Sequence, residues 1–278
     1  MFLNIDGNRV FTLSFGKGPQ TILAHSGWIG NVEDWIATLA PLSANYRTVV
    51  YDHRGTGETD VSVAKITPEG LVDDVFAVMD ALSIRRCVLA GFSRGVVTVM
   101  RAALRDPDRF DGLILMNGTG EVRLPGATPN PRIPPSQWPG ESFRDRLQWF
   151  IERCTPEPDT EHIRRWGVNI LSRATPEAAE KLYSMVSDEA VDWAKELPRL
   201  LMPTLLLHGE KDFACNIETQ RYIQSLIPNS KLVVFEGSGH LPAMTRPMDV
   251  ATEINKFLVD SQRHASHPDS KTGTSFAA

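Results

Sequence analysis

The apolar positions of this chain gather in short runs bounded by turns, namely TILA, RTVVY, CVLAGF, LILMN, TLLLH and KLVVF. Between them lie longer stretches in which apolar residues recur at three- and four-residue spacing. Short continuous runs with β-branched residues read as buried strands, and the spaced stretches read as amphipathic helices. The clearest helix is predicted from Thr67 to Leu82: Thr67 caps it, Pro68 suits its first turn, and Leu71, Val75, Val78, Met79 and Leu82 share a face. Ahead of these, FLNIDGNRVFTLSF alternates around Asp6-Gly7 in the manner of a hairpin. The alternation of strand and helix predicts an α/β fold, with a mostly parallel central sheet flanked by helices.

That rhythm breaks between 119 and 197. Proline and glycine crowd positions 125–140, and helical stretches follow without a convincing strand. The segment reads as an inserted helical cap. It carries Trp138, Phe143, Trp149, Phe150, Trp166, Tyr183 and Trp193, enough aromatic surface to attach the cap and to line an apolar pocket as well. The strand pattern resumes at Thr204 and closes with a helix predicted over 247–259, where Val250, Ile254, Phe257 and Leu258 share a face. The core is thus expected to comprise 1–118 and 198–260, with 119–197 as cap. From 261 to 278 the chain is polar and unpatterned and is expected to be a disordered tail.

Composition narrows the function classes. The formal net charge is −5, and the 29 Lys and Arg residues are scattered, so there is no basic face for nucleic acid. The three cysteines lack CxxC spacing, which argues against a disulfide framework or a cysteine zinc site. No run approaches the roughly 18 apolar residues of a membrane span. No charged-then-apolar leader precedes the hairpin, so a cytoplasmic setting is expected. For that reason Asn117-Gly118-Thr119 reads as a chance glycosylation sequon. No HExxH, no GxxxxGK[ST] and no ligand-spaced histidines occur, so neither metal nor organic cofactor is implied. Nothing in the pattern selects an oligomeric state.

A serine hydroxyl is a weak nucleophile at neutral pH and needs sharp presentation, a base, and a group that orients the base. Gly91-Phe92-Ser93-Arg94-Gly95 sits between the strand run CVLA and a helix predicted over 94–105, the strand-turn-helix context of a GxSxG elbow. The N–H of Arg94 would begin that helix and face a developing oxyanion. His240 lies in a glycine-rich loop after KLVVF, and Asp212 lies just beyond TLLLH. Either alone is unremarkable, since loop histidines are usually solvated and acids at strand ends usually cap helices. The order Ser, Asp, His, with each residue in a loop after its own strand, is far more specific.

These motifs resemble the α/β-hydrolase fold superfamily over 1–118 and 198–260. The resemblance implies an oxyanion loop after the third strand, where members carry His-Gly followed by a variable residue whose N–H is the second donor. Here the loop reads His25-Ser26-Gly27-Trp28. If Gly27 takes the glycine position, Trp28 donates and Trp35 falls where members often carry tryptophan. The other register makes Gly27 the donor. Trp28 is preferred. The resemblance assigns His25 a structural place, treats Arg54-Gly55 as a structural turn, and offers Glu121 as a second choice for the acid.

The expected function is therefore cofactor-independent hydrolysis of a carboxylic ester or lactone through an acyl-enzyme on Ser93, with a small, apolar carbonyl compound as substrate. A carbon–carbon hydrolase of a diketo-type acid is the alternative, with the Arg94 side chain pairing a substrate carboxylate. Peptidase, thioesterase and perhydrolase activities share the same machinery. A ligand receptor that keeps the triad without turnover is the alternative of another class. The epoxide hydrolases and haloalkane dehalogenases of the superfamily use an Asp nucleophile, and Ser93 argues against both.

Overall fold

A computed structural model describes residues 1–119, 122–127, 133–185 and 193–266. The N-terminal pattern forms the hairpin β1 (Phe2–Ile5) and β2 (Asn8–Phe15). Asp6 and Gly7 at its tip have φ of 49° and 78°, the left-handed pair that a two-residue hairpin turn requires. There follow β3 (Thr21–His25), α1 (Glu33–Leu39), β4 (Arg47–Tyr51), α2 (Pro68–Ala81), β5 (Cys87–Phe92), α3 (Gly95–Arg105) and β6 (Phe110–Met116). Next come the helices α4 (Phe143–Cys154), α5 (Glu161–Leu171), α6 (Pro176–Ser184) and α7 (Trp193–Glu196). The chain then returns through β7 (Thr204–Gly209), α8 (Ile217–Leu226), β8 (Ser230–Phe235), α9 (Pro242–Thr245) and α10 (Pro247–Ser266).

The strands form an eight-stranded sheet in the order β1-β2-β4-β3-β5-β6-β7-β8. The hairpin is antiparallel to its neighbours, and β4 through β8 run parallel. Continuous apolar runs make sense here because both faces are covered. Ile22, Ala24, Val88 and Ala90 face one core with Trp35 of α1 and Ile254 of α10. Leu23, Leu89 and Leu113 face the other, with Val75 of α2, Val99 of α3 and Ile223 of α8.

The predicted helix at 67–82 is α2, with the Thr67 hydroxyl accepting from the Gly70 N–H at 3.0 Å. The Arg54 side chain forks onto Asp74 of α2 at 2.7 and 2.6 Å, tying the turn after β4 to that helix. One boundary differs from the sequence expectation: α10 does not end near 259 but continues to Ser266. The apolar face ends at Leu258, but residues 259–266 contain no proline or glycine, so nothing stops propagation of a formed helix. No described helix is long and apolar enough to cross a membrane.

Candidate active site

Ser93 stands between β5 and α3 with φ of 51°, a left-handed conformation that is strained for a residue with a side chain. The turn holds because the Ser93 N–H donates to the Met116 carbonyl at 2.8 Å. Its neighbours must be small: a Cβ at Gly91 would come within 2.6 Å of Val99 Cγ2, and one at Gly95 within 2.4 Å of the Ser26 carbonyl oxygen. The crowding that GxSxG implied is therefore present in the packing.

His240 reaches the serine from the loop after β8. Its Nε2 lies 2.9 Å from Ser93 Oγ, and its Nδ1 lies 2.8 Å from Asp212 Oδ2. A carboxylate only accepts, so Nδ1 carries the proton and Nε2 accepts from the serine hydroxyl. The His240 backbone N–H donates to the Cys154 carbonyl at 2.8 Å, at the C-terminal end of α4. Glu157 secures the same loop: its Oε1 accepts from Ser238 Oγ, the Gly239 N–H and Thr245 Oγ1 at 2.7, 2.9 and 2.9 Å. The segment between β6 and β7 thus holds the histidine in place.

Asp212 follows β7 with its side chain only 1% exposed. Its Oδ1 accepts from the N–H groups of Ala214 and Cys215 at 2.7 and 2.9 Å, while Oδ2 also accepts from Asn117 Nδ2 at 2.8 Å. Burial pushes its carboxyl up, but the adjacent His240, with His208 and Asn117, outweighs that and holds it below the ordinary carboxylate value. Glu121, the second choice for the acid, lies outside the described residues.

The remaining expected residues divide. Gly27 and Trp28 line a cavity of about 40 Å³ at Ser93 and His240, whereas the Arg94 side chain lines a separate cavity with Thr98 and Arg101. His25 spends its ring elsewhere than on the serine hydroxyl: its Nδ1 lies 2.7 Å from the Tyr51 hydroxyl and its ring stacks on His53. His53 Nε2 in turn donates to the Gly27 carbonyl at 2.9 Å. Burial pushes both histidines below the ordinary imidazole value. Of the aromatic residues in 119–197, Phe150 reaches the cavity. Trp138 stacks on Phe150 at 4.9 Å, Trp166 donates to Glu33 Oε2 at 2.8 Å, and Trp193 joins the opposite core.

Four contributors were not singled out for the site from the sequence. Asn117, met there as a sequon, is fully buried with φ of 48° and spends its amide on Asp212. His53 and Glu157 gave no signal of their own. Asp34, in the first turn of α1, is buried and lines the cavity. Burial lifts its carboxyl to about 7, with the Ser26 hydroxyl opposing and Asp52 and Glu33 adding to the rise.

This last shift carries a stability prediction. The folded acid keeps its proton up to about pH 7, whereas an unfolded aspartate loses it near pH 4. The folded state therefore binds more protons between these values, and the stability associated with Asp34 falls as pH rises through that window. Asp34→Asn removes the ionisation, so its melting temperature relative to the parent should climb between pH 5 and pH 8. Thermal melts at the two pH values check this, and a constant difference would contradict it. Asp52, lifted by burial to about 6, is present in both proteins and largely cancels.

The profile of a family described as alpha/beta hydrolase fold matches residues 20–247. A putative carbamate hydrolase, RutD, of Pantoea ananatis is 38% identical over 268 residues, covering 90% of this chain and 90% of that protein. The AB hydrolase superfamily protein YisY of Bacillus subtilis is 28% identical over 244 residues, covering 83% and 88% of the two chains. Among solved structures, an esterase from Exiguobacterium antarcticum superimposes with a TM-score of 0.83 at 22% identity, covering 93% of this chain and 99% of that one. An enol-lactonase from Burkholderia xenovorans LB400 does so with a TM-score of 0.80 at 20% identity, covering 93% and 100%. Both structural likenesses are likenesses of fold. On the match over most of its length, the chain belongs to the alpha/beta hydrolase fold family.

Proposed function

We propose that this hydrolase cleaves a small carboxylic ester or lactone through an acyl-enzyme on Ser93, with His240 as base and Asp212 as the orienting acid. The observation that carries the reading is the unbroken chain from Ser93 Oγ to His240 at 2.9 Å and on to Asp212 at 2.8 Å, opening into an apolar cavity. As Ser93 Oγ attacks the carbonyl carbon, His240 Nε2 takes its proton, and Asp212 stabilises the imidazolium that forms. His240 then returns the proton to the leaving alkoxide. Water, activated by the same imidazole, cleaves the acyl-enzyme and frees Ser93.

The oxyanion is assigned to the N–H groups of Arg94 and Trp28, with Gly27 as the alternative to Trp28. The position of the Gly27 carbonyl supports Trp28. That oxygen accepts from His53 Nε2 at 2.9 Å, and in a trans peptide the following N–H points the opposite way, away from the His53 ring. Such a donor is typically worth about 10²–10³ in kcat.

A cavity of about 40 Å³ holds a group of a few heavy atoms, which favours short acyl chains. A diketo acid would need a cation near the cavity for its carboxylate. The cavity instead contains Asp34, and the Arg94 side chain lines the other one, so the ester or lactone reading is preferred.

Turnover measured on p-nitrophenyl acetate, p-nitrophenyl butyrate, a γ-lactone and a β-diketo acid tests the proposal. Repeated turnover of the esters or lactone is expected, with the diketo acid untouched. Faster cleavage of the diketo acid, or a single turnover typical of a receptor, would contradict it.

A further inference from the structure

Strand β6 lies between β5, which ends at the Ser93 turn, and β7, which leads to Asp212. The first residue beyond β6 is Asn117, and its neighbourhood joins all three members of the triad. Its own N–H donates to the Leu207 carbonyl of β7 at 2.8 Å, and the carbonyl of Met116 just before it accepts from the Ser93 N–H at 2.8 Å. Its side-chain Nδ2 donates to Asp212 Oδ2 at 2.8 Å and, at a longer 3.3 Å, to the carbonyl of Gly239, the residue before His240. The loops of nucleophile, acid and base thus meet at one position.

A structural role alone does not call for an amide here. The φ of 48° is open to glycine and aspartate as well as to asparagine. The side chain is fully buried, and its Oδ1 has no hydrogen-bond partner among the described residues, which costs free energy. The amide is nonetheless fixed in orientation, because Oδ1 in the place of Nδ2 would set one acceptor against two others. What offsets the bare carbonyl is the bond to Oδ2 of Asp212, the same oxygen that His240 Nδ1 uses at 2.8 Å.

We infer that Asn117 is a positioning residue that holds Asp212 Oδ2 on His240 Nδ1 and limits how strongly that oxygen retains the imidazolium proton. The inference rests on the acyl-hydrolysis reading and adds a residue to its machinery. An oxygen that already accepts from an amide has less charge to offer a second donor, so the imidazolium formed during attack still gives its proton to the leaving group. Asn117 does not line the cavity at Ser93, so its effect falls on turnover rather than on binding. The other titratable groups facing the pair come from the elements around it. His208 Nε2 lies 3.7 Å from Asp212 Oδ2, Cys215 Sγ lies within 4.8 Å of both residues, Cys154 is near enough to feel the carboxylate, and Glu157 accepts from the Gly239 N–H. All of them stay when Asn117 alone is changed.

The test is the pH dependence of kcat and kcat/KM for p-nitrophenyl butyrate in the parent, Asn117→Leu and Asn117→Gly. Leucine has the branching of asparagine without its donor and leaves little room for a substituting water, whereas glycine suits the left-handed backbone; the profile is read in whichever variant circular dichroism shows to be folded. The rate rises with pH as His240 loses its proton. Without the amide, Oδ2 retains the imidazolium proton more strongly, so the midpoint of that rise should move up by at least about half a unit. Turnover on the plateau should fall by about 10- to 100-fold, with KM little changed. A merely structural asparagine would lower the melting temperature and leave the midpoint where it was. An unmoved midpoint in a folded variant, or a loss carried by KM alone, overturns the inference and leaves acyl hydrolysis standing. Failure of the parent to turn over the ester overturns both.

Discussion

Ser93→Ala should lower kcat for p-nitrophenyl butyrate by about 10⁴–10⁶ while leaving the protein folded. The variant keeps a Cβ, so the cost of the left-handed backbone at φ of 51° is already present in the parent and does not grow. The hydrogen bond from the Ser93 N–H to Met116 is a backbone contact and survives. What is lost is the single oxygen that faces His240 Nε2 at 2.9 Å. Residual hydrolysis over the uncatalysed rate then comes from binding and the oxyanion donors acting on water. A circular-dichroism melt beside the steady-state assay separates loss of chemistry from loss of fold, and a variant within tenfold of the parent would remove Ser93 from the mechanism.

Asp212→Asn should cost about 10³–10⁴ in kcat, through the proton on His240 rather than through its position. The N–H groups of Ala214 and Cys215 both donate to Oδ1 at 2.7 and 2.9 Å. An asparagine there must turn its carbonyl oxygen toward those donors. Its amide nitrogen then faces His240 Nδ1 and Asn117 Nδ2 where Oδ2 stood. Donor meeting donor favours the tautomer with Nδ1 bare and Nε2 protonated, and that imidazole cannot accept from Ser93. Steady-state kinetics with Glu121→Gln in parallel checks the assignment. If Glu121→Gln costs more, the acid has been misassigned.

How the site could be read from the sequence depends on whether each residue's role was local. The elbow was legible because a glycine two positions either side of Ser93 is a steric demand of the turn itself, and Gly91 and Gly95 meet it. His240 and Asp212 were legible through chain order, since strands of a parallel sheet deliver their following loops to one edge. Asn117 was not, because its amide meets Asp212 across 95 residues, and the local triplet pointed elsewhere. Asp34 looked like an ordinary acid in the first turn of a helix. Only the packing of α1 against the oxyanion loop makes it a buried group in the cavity.

The segment from 119 to 197 was the least legible part. Its aromatic residues signalled packing against something apolar, but not which of them would reach Ser93. Trp138 meets Trp28 at 5.2 Å and Phe150 at 4.9 Å, so much of the aromatic surface is spent within one cluster. Glu157 was invisible for a related reason: its three donors come from a loop and a helix more than 80 residues away.

The central claim is that Ser93 Oγ is the atom that becomes acylated. Treatment with a fluorophosphonate, followed by intact mass measurement and peptide mapping, tests it directly. The account predicts one adduct per chain, on the peptide containing Ser93, and none in Ser93→Ala. An adduct of full stoichiometry in Ser93→Ala, or on another residue of the parent protein, would contradict it.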